Sequence, residues 1–156
     1  MDVVTDGGAE AVGGFGAAIE DLHCRVPAWA GSLTRVRQAL SDWATRLGLA
    51  ARIVEDVVLA AYEALANVVE HAYRDTVVGL LDLCARADRA RGTVTVTVTD
   101  YGRWRPPPSN RGTRGRGLRL IRGLATHAEI RPSQSGTTVT MTYPLAGKAA
   151  ARSNTA

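Results

Sequence analysis

Seven consecutive residues, 93–99, read Thr-Val-Thr-Val-Thr-Val-Thr. A strict two-residue alternation fits a pleated strand, because successive strand side chains leave opposite faces. Val94, Val96 and Val98 then share one face and the threonines the other, and β-branching at every position favours the extended backbone. The valine face needs apolar cover, and the chain upstream supplies it. In residues 29–47, Leu33, Val36, Leu40, Trp43 and Leu47 recur at spacings of three or four, which predicts an amphipathic helix stopped by Gly48. Residues 51–73, rich in Ala, Leu and Val, predict a longer second helix.

The remaining elements follow from punctuation. Residues 19–26 form a strand ended by Pro27, and residues 77–87 another, joined to the threonine–valine strand by a turn at 88–92. A Gly/Pro/Arg loop over 100–117 leads to a short helix at 118–125. Strands at 128–131 and 137–143, with a turn at Ser135-Gly136, complete the chain. Neighbouring strands at both ends of this order predict an α/β two-layer sandwich, a mostly antiparallel mixed sheet with helices on one face.

The 156 residues suit one domain, burying roughly 68–70% of the surface of the unfolded chain. Its expected limits are 18–145, between a disordered N-terminal segment at 1–17 and a disordered tail at 146–156, both biased to small and polar residues. The longest apolar stretch, 53–69, is interrupted by Glu55, Asp56, Glu63 and Asn67, so no membrane span is expected; the N-terminus lacks a signal-peptide pattern, and a cytoplasmic location follows. Cys24 and Cys84 have no metal-ligand spacing and read as reduced, buried packing residues.

The net charge of +4 conceals a division: residues 1–100 carry nine Arg against 14 acidic groups, net −5, and residues 101–156 nine Arg and Lys148 against one Glu, net +9. A local arginine cluster fits nucleic acid, a phosphorylated small molecule or an acidic protein partner. The sequence contains no phosphate loop of the GxxxxGK[ST] kind, no GxGxxG after the first strand, no HExxH and no GxSxG.

Three polar features remain. Glu63, Asn67 and His71, four residues apart, form one stripe on the second helix, flanked by Ala60, Ala64, Val68 and Ala72. Such a stripe is ordinarily a solvated face; among apolar flanks, a glutamate needs a partner or a task. Asp100-Tyr101-Gly102 ends the threonine–valine strand, where a carboxylate accepts from an exocyclic amine and a glycine admits a flat ring, although alone it reads equally as an Asx turn. Residues 112–118, Gly-Thr-Arg-Gly-Arg-Gly-Leu, run into a helix whose first N–H groups and nearby arginines suit phosphate oxygens; alone they are a flexible basic loop.

Together the runs EALANVVEHAY (63–73), DYGRW (100–104), GRGLRLI (115–121) and GTTVT (136–140) resemble the four ATP-site boxes of the GHKL (Bergerat-fold) ATPases, and within that superfamily the bacterial anti-sigma-factor serine/threonine protein kinases. The resemblance implies ATP and Mg2+ as cofactors. Asn67 matches the magnesium ligand, Glu63 the general base for a serine hydroxyl, and Asp100 with Gly102 the adenine-reading pair. Thr137 matches a supporting threonine, and Gly115, Gly117 and Leu118 the phosphate-binding helix start. Arg114 and Arg116 are the candidates for phosphate contact, with the choice between them open; Thr113 stands where the family pattern suggests arginine. Residues 103–116 would be a lid, stiffened by Pro106, Pro107 and Pro108. Arg35 aligns with a partner-contacting residue and reads as readily as a solvated arginine.

The function so implied is phosphorylation of a small anti-anti-sigma (STAS) partner and sequestration of a sigma factor, by a homodimer engaging neither nucleic acid nor membrane, in transcription regulation during stress. The alternative is an ATP-binding regulatory module that holds a partner without phosphoryl transfer. A sensor histidine kinase domain would need a phospho-accepting histidine upstream, which the helix at 29–47 lacks. His71 reads as a packing and hydrogen-bonding residue of its box and not as a catalyst, His23 and His127 have no companions that suggest chemistry, and Trp29, Trp43 and Trp104 read as core or loop anchors.

Overall fold

The threonine–valine segment is the central strand of a five-stranded sheet. The structure, a computed structural model, describes residues 21–73, 78–102 and 116–146. The elements are β1 (Leu22–Pro27), α1 (Ala30–Arg46), α2 (Ala51–His71), β2 (Leu80–Asp88), β3 (Thr93–Asp100), α3 (Arg116–Leu124), β4 (His127–Ser133) and β5 (Gly136–Pro144). The sheet order is β1-β2-β3-β5-β4, and every ladder is antiparallel. Pro27 and Pro132 both lie on edge strands, where a missing N–H donor is tolerated.

The alternation of β3 divides the molecule as its sequence predicts. Val94, Val96 and Val98 are buried, together with Leu81, Leu83 and Ala85 of β2 and Val139, Met141 and Tyr143 of β5. Helices α1 and α2 close over this face with Leu33, Val36, Leu40 and Trp43 from the first and Val57, Ala61, Leu65 and Val68 from the second. The small residues Ala60, Ala61 and Ala64 let α2 lie close against its neighbours. Helix α1 ends as expected at Gly48, where the N–H groups of Gly48 and Leu49 return to Thr45 and Ala44 in a Schellman closure.

Several expectations shift. The last two strands run longer than their sequence signals, because pairing continues wherever the ladder finds a partner: β4 starts at His127 and ends at Ser133, and β5 starts at Gly136, whereas β2, expected from 77, starts at Leu80. Helix α3 begins at Arg116, placing Gly117 in its first turn. Cys84 is exposed, contrary to the expectation of burial, because it faces outward between His23 and Thr97 while the helices cover the inner face; Cys24 is buried as expected. Trp43 is a core residue, whereas Trp29 is 52% exposed and its ring lies against Gly31. Residues 1–17, expected to be disordered, residues 147–156 of the tail and residues 103–115, expected to form a lid and including Trp104, Thr113, Arg114 and Gly115, lie outside the described residues.

Candidate nucleotide site

Helix α2 carries the first part of the site. Glu63 and Asn67 are half-buried and His71 exposed, so the stripe lies at the rim of the core and not within it. What it faces is the start of α3. A Cβ on Gly117 would stand 3.1 Å from Glu63 Oε2, 3.6 Å from Asn67 Nδ2 and 3.7 Å from Asn67 Oδ1. Three sequence-predicted residues from two elements therefore meet at one point. Ile121 and the flanking Leu118 and Leu124 anchor α3 on the core. The first N–H groups of α3, free of intrahelical partners, open at the same end as the glycine.

Strand β3 carries the second part. Asp100 is its last residue, 7% exposed, in register with Leu81 on one side and Thr137 on the other. Its Oδ1 accepts from the backbone N–H of Gly102 at 3.0 Å and of Thr137 at 3.3 Å. Both donors use Oδ1, and among the described residues nothing donates to Oδ2. Burial pushes the carboxyl above the ordinary range, and the two N–H donors only partly offset this. Gly102 passes so close to the end of α2 that a Cβ would collide with the Ala72 carbonyl. The two parts are thus joined by α2 itself: Asn67 and Ala72 are five residues apart, about 7.5 Å along the axis.

The sequence reading missed several contributors. Gly136, at φ 139°, brings the start of β5 against the Asp100 carbonyl, where any side chain would clash; the GTTVT run contained it, but only Thr137 was singled out. Tyr73 Oη donates to the Leu80 carbonyl at 2.5 Å and accepts from the Tyr101 N–H at 2.8 Å. Behind Tyr101, on the outer face, stands Asp82, 7% exposed and bound by Arg25 at 3.0 and 3.1 Å and by the Tyr101 hydroxyl. His23 lies 3.5 Å from Asp82, so it does have a carboxylate companion. The signal in the sequence was a lone acidic residue in the apolar run Leu80–Cys84, but its partners come from β1 and β3.

Of the remaining candidates, Arg116 is exposed at the start of α3, with Leu118 half-buried in the same turn; Arg114 and Gly115 lie outside the described residues. Arg35 is exposed on α1, an element carrying none of the nucleotide-site candidates. Among the described residues there is no cluster of three or more His, Cys, Asp or Glu that would hold a metal by itself. Mg2+ takes few protein ligands and keeps water and phosphate oxygens around it. Asn67 Oδ1, beside Gly117, is a hard oxygen of the right kind. No helix among the described residues is long and apolar enough to cross a membrane.

This arrangement coincides with a known domain: residues 26–143 match the model of the histidine kinase-like ATPase domain. The chain belongs to that family. The match begins in β1 and ends in β5, so it takes in α2, the Asp100 turn and α3 together. Among curated proteins, the serine-protein kinase RsbW of Staphylococcus epidermidis is 30% identical over 82 residues, 52% of this chain and 50% of the relative. The chain thus spans about half the length of the curated relatives it matches. A solved structure of the RsbU and RsbW domains of Rv1364c from Mycobacterium tuberculosis superposes with a TM-score of 0.66 at 29% identity, covering 80% of this chain and 32% of that one. The histidine kinase domain of the blue-light-activated kinase of Erythrobacter litoralis shares the fold, with a TM-score of 0.52 at 22% identity over 85% of this chain and 66% of its own. The recognition of a GHKL-type, RsbW-like chain from its four sequence runs agrees with these findings.

Proposed function

We propose that the chain is an ATP-dependent serine/threonine protein kinase that acts as an anti-sigma factor, phosphorylating a STAS-type anti-anti-sigma partner and sequestering a sigma factor. The observation that carries the reading is the meeting of Glu63 and Asn67 of α2 with Gly117 at the start of α3, with the turn of the buried Asp100 carboxylate beside the C-terminal end of α2. Asp100 accepts the exocyclic amine of adenine through Oδ2, beside Gly102 and Thr137. Asn67 would hold Mg2+ through its amide oxygen. The N–H groups at the start of α3 bind phosphate oxygens, with Gly115 and one of Arg114 and Arg116 completing the contact.

Bound Mg2+ supplies charge neutralisation between the phosphates. The work left to the chain is to hold the nucleotide and remove a proton. Glu63 accepts the proton of the incoming serine hydroxyl as its oxygen attacks the γ-phosphorus, and ADP leaves. Arg35, on the separate helix α1, contacts the protein partner. The likeness to RsbW serine kinases supports serine as acceptor.

Transfer of labelled phosphate from ATP to a serine-bearing STAS protein tests this directly. Glu63→Gln is expected to retain ATP binding and lose transfer by about 100-fold or more, the usual contribution of a positioned base. Tight ATP binding by the unaltered protein without any transfer would instead establish the regulatory module.

A further inference from the structure

Strand pairing of β3 ends at Asp100, yet the orientation of its carboxylate depends on Gly102, whose N–H holds Oδ1 at 3.0 Å. The position of Gly102 depends in turn on Tyr101. The backbone of that tyrosine is tied to Tyr73 Oη, and its ring lies on the opposite face of the sheet from the nucleotide site. There the ring hydroxyl donates to Asp82 Oδ2 and accepts from Arg25 Nη2 at 3.2 Å, and the Arg25 guanidinium stands 5.6 Å from the ring centroid. Asp82 is nearly buried, while Arg25 grips both of its oxygens and His23 stands beside one. A doubly bound arginine–carboxylate pair is geometrically exacting, because the planar fork admits few orientations.

We propose that Asp82, oriented by Arg25, is a positioning residue for base recognition. Through Tyr101 it fixes the Asp100–Gly102 turn from behind, so that the Asp100 carboxylate presents Oδ2 to an exocyclic amine. The inference rests on the proposed reading of Asp100 as the adenine-binding residue. It concerns selectivity, because the cluster touches no nucleotide. Loosening the turn weakens the one contact that distinguishes adenine from a purine with a carbonyl at the same place. Contacts to ribose and phosphate, made by other elements, are retained.

The test is calorimetric titration of the full chain with ATP and with inosine triphosphate, in the unaltered protein and in Tyr101→Phe, Asp82→Asn and Asp100→Asn. Tyr101→Phe removes one hydroxyl and leaves the Arg25–Asp82 pair standing, so it serves if Asp82→Asn fails to fold. The proposal predicts that both outer-face variants lower the ratio of ATP to inosine triphosphate affinity by about threefold to tenfold, the range of a weakened charged hydrogen bond. Their affinity for inosine triphosphate stays the same. A ratio unchanged in Tyr101→Phe, or a parallel loss for both nucleotides, overturns the proposal, since a purely structural role would act on both alike. If Asp100→Asn leaves the ratio unchanged, the reading of Asp100 itself fails and the inference falls with it. A ratio lost in Asp100→Asn but kept in Tyr101→Phe overturns the positioning role alone.

Discussion

Asp100 is a carboxylate held where burial works against its charge. Its proton is bound more tightly in the folded chain than in the unfolded one, since desolvation raises its pKa and the N–H groups of Gly102 and Thr137 only partly oppose this. Stability from this group is therefore fully present below the unfolded value of about 3.9 and is lost as pH rises through the raised folded value. Asn at this position has no such slope and keeps an oxygen for both N–H donors. Asp100→Asn is thus expected to melt no lower than the unaltered protein at neutral pH while losing ATP affinity by about tenfold or more, the worth of a charged hydrogen bond. Thermal melts across pH together with ATP titration check both halves. A variant that loses stability and binding together would mean that the carboxylate serves the fold. Asp82 behaves oppositely: burial would raise it, but the Tyr101 and Arg25 hydrogen bonds prevail and hold it below the usual carboxylate range. Its stabilising contribution is present above the unfolded value and is lost as pH falls through the depressed one.

Helix α3 keeps a glycine in its first turn at the expense of its own propensity. Gly117 lies in its first turn, where alanine would favour the helix by up to about 1 kcal/mol. A methyl group there would press on Glu63 Oε2 at 3.1 Å, the far end of a flexible side chain that can turn aside. Gly117→Ala is accordingly expected to leave the melting temperature unchanged or raised and to reduce phosphoryl transfer, because it displaces Glu63 from the start of α3. Denaturation and transfer assays on the same preparation measure the two effects. The elements themselves were largely legible from the sequence, because β3 and α1 display clean periods of two and about 3.6, and the stripe on α2 follows from spacing alone. What eluded the sequence depends on pairing between distant strands. Asp82 meets Arg25 across 57 residues and Tyr101 across 19. Cys84 is exposed because β2 turns alternate residues away from the helices, a fact its apolar neighbours disguise.

At the scale of the whole molecule, one sheet separates a helix-covered core from a polar outer face bearing Thr95, Thr97, Thr99, Thr138, Thr140 and Thr142. Among the described residues, one buried side-chain polar group lacks a hydrogen-bond partner. Tyr143 is 1% exposed, its hydroxyl has no hydrogen-bond partner among the described residues, and burial with nearby Asp56 pushes its pKa up. Tyr143→Phe removes that hydroxyl without a change of shape and is expected to stabilise the fold by about 1–3 kcal/mol, the cost of an unpaired buried group. Chemical denaturation measures it, and a loss of stability would reveal a hidden partner. The charge division along the chain also acquires a place: Arg116, Arg119 and Arg122 are all exposed on α3, the helix whose first turn meets Glu63 and Asn67. An arginine-bearing helix and the two polar residues of α2 thus meet where triphosphate and Mg2+ are proposed to bind. Titration of ATP with and without Mg2+ into the unaltered protein and into Asn67→Ala bears on that convergence most directly. Mg2+ is predicted to tighten ATP binding in the former and to have little effect in the latter, whereas equal tightening in both, or no ATP binding at all, would contradict the site.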